Sequence, residues 1–170
     1  EDLDAAAGLG APACGGLTLL PYLDGERTPN LPTATGRWHG ITGESMTREN
    51  LARSSVMGVA NSLADCLDVL RELGVPVHRA LLVGGGARSV ALRTALSHIL
   101  DVDMYVPAPD EYVALGAARQ AAWAVTGVLP TWQAGSDGSQ YIAHTHDDGA
   151  TAYRNSYSIM RRNLESELSA

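Results

Sequence analysis

Residues 80–89 read Ala-Leu-Leu-Val-Gly-Gly-Gly-Ala-Arg-Ser, three consecutive glycines set between an apolar run and a residue suited to starting a helix. The run Ala80–Val83 has no polar alternation, which predicts a strand buried on both faces. Gly84, Gly85 and Gly86 carry no Cβ, so they can adopt positive φ and let a ligand lie directly against the backbone. Ser89 is a good N-cap for an amphipathic helix over Val90–Leu100, because its hydroxyl can accept an orphan amide of the first turn. Strand, glycine turn and helix start is the arrangement with which open α/β sheets hold nucleotides. A tight turn that binds nothing has the same sequence, and both readings stay open here. The turn is not a Walker A loop, since no Lys-Ser or Lys-Thr pair follows the glycines. It is not a Gly-x-Gly-x-x-Gly fingerprint either, because Ser89 stands where the last glycine is needed.

The flanking segments are punctuated clearly. Thr47 caps the longest predicted helix, Glu49 suits its positive end, and Gly74 stops it. Val56, Val59, Leu63, Leu67 and Leu70 recur at helical spacing and form its expected buried face. After the helix 90–100, residues Val102–Val106 alternate with period two, predicting a half-buried or edge strand stopped by Pro107 and Pro109. Asp110 can cap a third helix, Glu111–Thr126, closed by Gly127. Its Gly116, Ala117, Ala118, Ala121 and Ala122 form a thin face suited to close packing. Residues 128–148 predict a surface loop, and Ala150–Leu168 a terminal helix with Tyr153, Tyr157, Met160, Leu164 and Leu168 on one side. Upstream, residues 1–16 predict a frayed helix and a loop. Leu17–Leu23 is apolar but interrupted by Pro21, which denies it a central strand position, and Arg37–Thr42 predicts a short strand. Helices alternating with strands imply an α/β fold. The expected division is 1–127 as the main segment, 128–148 as loop and 149–170 as terminal helix.

Composition narrows the function classes. With 170 residues and 45% hydrophobic content the chain can bury a sizeable core. Phe is absent and aromatics make up 5%, so that core is expected to rest on Leu, Val and Ala. A formal charge of −7, with no basic cluster beyond Arg161-Arg162, argues against a nucleic-acid groove or an anionic membrane partner. No run reaches the length of a membrane span. Cys14 and Cys66 lack metal-type spacing and are expected to be two buried thiols in a reducing cytoplasm. The start Glu1-Asp2-Leu3-Asp4 has no basic n-region, which argues against a signal peptide and suggests a chain beginning within something larger.

Few residues offer chemistry. His144, His146, Asp147 and Asp148 have metal-ligand character but sit in a polar stretch that solvation explains better. His39, His78 and His98 are isolated. Asp24, Glu26 and Arg27 form an acid–base cluster that a salt-bridged turn explains at least as well as catalysis. No convincing catalytic base emerges, and no metal ligand is assigned.

Three segments in order carry a resemblance. They are Pro21-Tyr-Leu-Asp-Gly-Glu-Arg-Thr-Pro29; Gly36–Thr42 leading to Arg53; and Leu82-Val-Gly-Gly-Gly-Ala-Arg-Ser89 followed by Ala114-Leu-Gly-Ala-Ala118. Together they resemble the C-terminal domain of the FGGY carbohydrate kinases over about residues 17–127. The resemblance implies a ribonuclease-H-like domain of the actin/hexokinase-like ATPase fold, here incomplete. Two such domains close over a cleft holding ATP, Mg²⁺ and a sugar. It implies that Gly84, Gly85 and Gly86 line the adenosine pocket with Ser89 near the base, that the 116–118 helix packs beside it, and that Asp24–Pro29 is a structural turn. The reaction implied is ATP-dependent phosphorylation of a ketopentose, D-xylulose to D-xylulose 5-phosphate, in the cytoplasm.

Departures from the pattern matter as well. Family members usually carry Ala-x-x-Glu-Gly after the Arg53 position, whereas this chain has Ser54-Ser55-Val56-Met57-Gly58, placing Met57 where the glutamate would stand. The resemblance implies an N-terminal domain that supplies the catalytic aspartate and most of the sugar site, and glycine-rich phosphate loops upstream of this region. None of these is in this chain, so no catalytic residue is assigned within it. The alternatives are a catalytically silent binding or assembly module of the same fold, or a family kinase for ribulose, gluconate or glycerol. A partial sheet leaves a bare edge, which predicts self-association as a homo-oligomer or dependence on the missing domain.

Overall fold

The computed structural model describes residues 2–108, 110–132 and 139–168. Helix α1 (Leu3–Gly8) is capped by Asp2, and a turn over Pro12–Gly16 leads into strand β1 (Thr18–Leu20). β1 pairs antiparallel with β2 (Arg37–His39), Leu19 opposite Trp38. Pro21 follows β1 directly, so the expected interruption falls at the strand's end. Helix α2 (Arg48–Glu72) comes next. The Thr47 hydroxyl accepts the Asn50 amide at 3.1 Å, and Gly74 leaves the helix at φ 76°, as the punctuation predicted.

The second half of the chain holds strand β3 (Arg79–Leu81), helix α3 (Val90–Ile99), strand β4 (Asp103–Val106), helix α4 (Tyr112–Thr126), strand β5 (Gln140–Ile142) and helix α5 (Asp148–Leu168). β3 runs parallel to β4, β5 runs antiparallel to it, and β4 lies between them. This inverts two expectations. The run before the glycines is an edge strand, with Leu81 62% and Val83 44% exposed, because only Ala80 and Leu82 pack towards the core. The alternating segment is the central strand, with Met104 buried on the core side. β5 also lies inside the stretch expected as loop; residues 133–138 of that stretch, like Pro109, are outside the described residues.

The core sits between α2, α3, α5 and β1, and two of its features differ from expectation. First, α2 does not bury Val59, Leu63 and Leu70, which stay 40–44% exposed. It buries Ala52, Val56, Met57, Ala60 and Ala64 instead. The reason is close approach: a Cβ on Gly58 would lie 2.9 Å from the Leu19 carbonyl oxygen, so small residues must face β1. Second, Leu, Val and Ala do not suffice. Tyr22, Tyr153 and Tyr157 are among the largest fully buried side chains. Buried phenols need partners, and they have them. Tyr153 Oη accepts the Leu19 amide at 3.0 Å and donates to the Ser54 carbonyl at 2.9 Å, while the Tyr22 and Tyr157 hydroxyls meet at 3.2 Å. Burial pushes the Tyr22 phenol up to about 12 and raises Tyr153 and Tyr157 as well, so all three stay neutral.

A charge cluster ties α5 to α2. Asp65 on α2 is 1% exposed and meets Arg154 Nη1 at 2.7 Å and Arg161 Nη1 at 3.3 Å, both from α5. Arg154 also reaches Asp68 at 2.7 Å and the Asn61 carbonyl at 3.1 Å. Burial raises the Asp65 pKa despite the two guanidinium groups beside it. Of the two free thiols, Cys14 is buried and its pKa pushed up to about 12 by that burial. Cys66, expected buried, is exposed because it lies on the outer side of α2.

Helix α4 stands apart from this core. Gly127 closes it at φ 70°, but none of its described residues is buried, and a Cβ on Gly116 would meet open space. The close packing expected of its thin face is not made within this chain. Asp110 accepts the Glu111 amide at 2.7 Å, and the helix begins one residue later than predicted. Among the described residues no helix is long and apolar enough to cross a membrane.

Candidate functional site

The parallel pair β3–β4 carries connecting turns at its carboxyl end, and between them lies a cleft of about 660 Å³. One wall is the glycine turn, with Val83, Gly84, Gly85, Ala87 and Arg88. The opposite wall is the β4–α4 connection, with Pro107, Ala108, Asp110, Glu111 and Tyr112. Arg93 and Gln140 close one end, the Arg93 guanidinium donating to Gln140 Oε1 at 2.7 Å.

The three glycines are not equivalent. Gly84 has φ 91° and ψ −173°, a backbone conformation that L side chains avoid. A Cβ on Gly84 or Gly85 would meet nothing within 4 Å, so both present bare backbone to open space. Gly86 lies away from the cleft wall, and a Cβ there would press on Leu92 Cδ2 at 3.3 Å. A short 3₁₀ turn over Gly85–Arg88 follows, its Ala87 amide donating to the Gly84 carbonyl and the Ser89 amide to the Gly86 carbonyl.

Ser89 caps α3 as expected, accepting the Leu92 amide at 3.0 Å. Its hydroxyl is turned away from the cleft and donates to Asp4 Oδ1 at 2.6 Å. The other Asp4 oxygen accepts the Val90 amide, also at 2.6 Å. The Ser89 hydroxyl holds the Asp4 carboxyl below its ordinary pKa, with the Val90 amide and Arg93 acting the same way. Of the four residues expected around the nucleotide, the fold therefore brings Gly84 and Gly85 to the cleft and sets Gly86 and Ser89 behind it. Arg88, Arg93 and Tyr112 join the site without having been predicted. Arg88 stands two residues after the last glycine and was legible there. Arg93 sits one helical turn beyond Ser89, and its position depends on where α3 points.

The remaining candidates make local contacts elsewhere in the fold. Glu26 Oε1 accepts the Arg27 and Thr28 amides at 2.7 and 3.2 Å, making Asp24–Pro29 a structural turn. His144 and His146 diverge, His144 approaching Asp101 at 3.5 Å and His146 meeting Asp148 at 2.9 Å, while Asp147 accepts the Ala150 amide at the start of α5. Among the described residues no three His, Cys, Asp or Glu groups converge on a metal-sized site. Met57 is buried and borders a separate cavity of about 190 Å³ with Arg53, one turn earlier on α2. The Arg53 guanidinium donates to the Gly10 carbonyl at 2.8 Å, so it braces the loop after α1.

Helices on a mixed sheet, with a bare-backbone turn at the carboxyl ends of its parallel strands, define an α/β domain with its cleft where open α/β sheets place their ligands. The model of the FGGY family of carbohydrate kinases, C-terminal domain, matches residues 1–125, and the chain belongs to this family, with its actin/hexokinase-like ATPase fold. A xylulose kinase of Streptomyces rubiginosus is 45% identical over 116 residues, covering 68% of this chain and 24% of that protein. A gluconokinase of Bacillus subtilis is 35% identical over 147 residues, covering 84% of this chain and 28% of that protein. The crystal structure of xylulose kinase from Bifidobacterium adolescentis superposes with a TM-score of 0.72 at 47% identity, covering 91% of this chain and 31% of that one. The chain thus spans about a quarter of the length of the curated relatives it matches.

Proposed function

We propose that this chain is the adenosine-holding part of an ATP-dependent sugar kinase, and that the whole enzyme phosphorylates a ketopentose, D-xylulose to D-xylulose 5-phosphate. One observation carries the reading: Gly84 and Gly85 present backbone without side chains to a cleft large enough for a nucleoside. Relatives named xylulose kinase favour that sugar over gluconate, whose kinase is similar over more of this chain but at lower identity. The two cations at the cleft, Arg88 and Arg93, suit a polyphosphate leaving it. Mg²⁺ would travel with those phosphates, and no residue here is assigned to it.

Phosphoryl transfer needs the γ-phosphate, the acceptor hydroxyl and a base held in line. In the whole enzyme the hydroxymethyl oxygen of the ketose would attack the γ-phosphate, aided by an aspartate outside this chain. In a calorimetric titration the 170-residue chain is expected to bind ADP, with a Kd in the high micromolar range or weaker. A coupled ADP-release assay with ATP and D-xylulose is expected to show no turnover. Turnover above background, or no ADP binding at millimolar concentration, contradicts the reading. A cytoplasmic setting fits a kinase that draws on the ATP pool.

The partner follows from what stays uncovered. Val113 and Val125 of α4 are 85% and 87% exposed, and among the described residues β3 has one unpaired edge. Apolar surface of this kind beside an open strand edge invites another polypeptide. In the whole enzyme that polypeptide is the rest of the kinase. For the chain alone, static light scattering at micromolar concentration is expected to give a mass above that of a monomer, and a monodisperse monomer contradicts this.

A further inference from the structure

The glycine turn is anchored at both ends. On the β3 side the Leu82 amide donates to the Tyr105 carbonyl at 2.9 Å, which continues the β3–β4 ladder. Between Val83 and Arg88 the turn makes its own short-range bonds, Ala87 to Gly84 and Ser89 to Gly86. Three glycines in such a segment carry large conformational freedom that something must remove before a ligand meets a fixed surface. At the other end that work falls to a residue 85 positions away in sequence, Asp4, which takes the Ser89 hydroxyl on one carboxylate oxygen and the Val90 amide on the other. Both distances are 2.6 Å, ordinary for a hydroxyl on a carboxylate and short for an amide.

The carboxylate sits at the positive end of α3, where negative charge is favoured, and fills the place that a ligand's anion would otherwise take. Asp4 is itself held in place. Its helix α1 buries Ala7 against the core, and the Arg53 guanidinium braces Gly10 just beyond. We propose that Asp4 is a positioning residue for the nucleotide. It clamps the start of α3 so that the Gly84–Gly85 backbone is presented in one conformation, and it keeps phosphate off the α3 N-terminus. The proposal rests on the reading of the cleft as a nucleotide site.

The test compares the unaltered chain with Asp4→Asn, Asp4→Glu and Asp4→Ala. It measures adenosine and ADP affinity by calorimetry and residue-resolved amide exchange across the whole chain. Asp4→Asn is expected to weaken both ligands about tenfold, with Asp4→Glu recovering part of the loss. Exchange is expected to quicken about tenfold at amides 85–90 and to stay unchanged in the cores of α2 and α5. Unchanged affinity in Asp4→Asn overturns the proposal, and so does exchange that quickens equally everywhere, since that marks a residue needed only for folding. If Asp4→Ala fails to fold, the isosteric Asp4→Asn decides. If the unaltered chain binds no nucleotide, the functional reading fails by itself. Exchange at 85–90 then judges the clamp: local quickening supports it and no change overturns it.

Discussion

Replacing Gly85 by valine is expected to weaken ADP binding by at least roughly a hundredfold, about 2.7 kcal/mol, while leaving the fold intact. The two halves of this expectation come from one local geometry. Gly85 lines the cleft, its φ lies outside the left-handed region, and a Cβ there meets no protein atom within 4 Å. A valine side chain is therefore accommodated by the protein and projects into the space that the nucleoside needs. Gly86→Val is the contrasting variant. Its added atoms press on Leu92 rather than on the cleft, so it is expected to lower stability by about 1–3 kcal/mol as an overpacked site does. Calorimetric affinity with thermal unfolding of both variants separates these outcomes. Full ADP binding by Gly85→Val contradicts the placement of the nucleotide.

The second large effect concerns stability. Arg154→Ala is expected to destabilise the chain by about 3 kcal/mol, or roughly 10 °C in Tm, because it strands the carboxylate of Asp65 in the core. Only Arg161, at 3.3 Å, remains beside a group that is 1% exposed. The loss also removes the contact of the guanidinium with the Tyr157 ring, 5.8 Å to its centroid. The pH dependence has a definite sign. Burial already holds the Asp65 carboxyl above the ordinary carboxylate range in the folded state, so its ionisation opposes folding as pH rises. Removing Arg154 raises that folded-state pKa further. The deficit of the variant should be largest at neutral pH and should shrink as pH falls through the acidic range, as Asp65 takes up its proton with or without Arg154. Thermal melts across that range check it, and a deficit that grows in acid contradicts the account.

Local chemistry was the legible part of this chain. Thr47, Gly74, Ser89 and Gly127 punctuate their helices as their side chains and φ preferences dictate. What was not legible depends on neighbours. The apolar run before the glycines implied a strand covered on both sides, but this chain supplies only one covering layer, so Leu81 and Val83 face out. Hydrophobic spacing on α2 chose Val59 and Leu63, whereas the contact of Gly58 with β1 selects the neighbouring stripe of small residues. Tyr153 and Tyr157 were legible as part of one face of the terminal helix, but burial of Tyr22 was not, because the partners that admit these phenols are scattered across β1, α2 and α5. In the cleft the glycines signalled themselves. Asp4 did not, since an acidic residue in an Ala/Gly-rich opening segment carries no mark of the serine it meets across the fold.

The most direct measurement is a crystal structure of the chain with ADP. The account predicts adenosine lying against the Gly84–Gly85 backbone, with the diphosphate directed towards Arg88 or Arg93 and Asp4 still bonded to Ser89 and Val90. ADP bound elsewhere, or that cleft closed by the protein's own side chains, would contradict it.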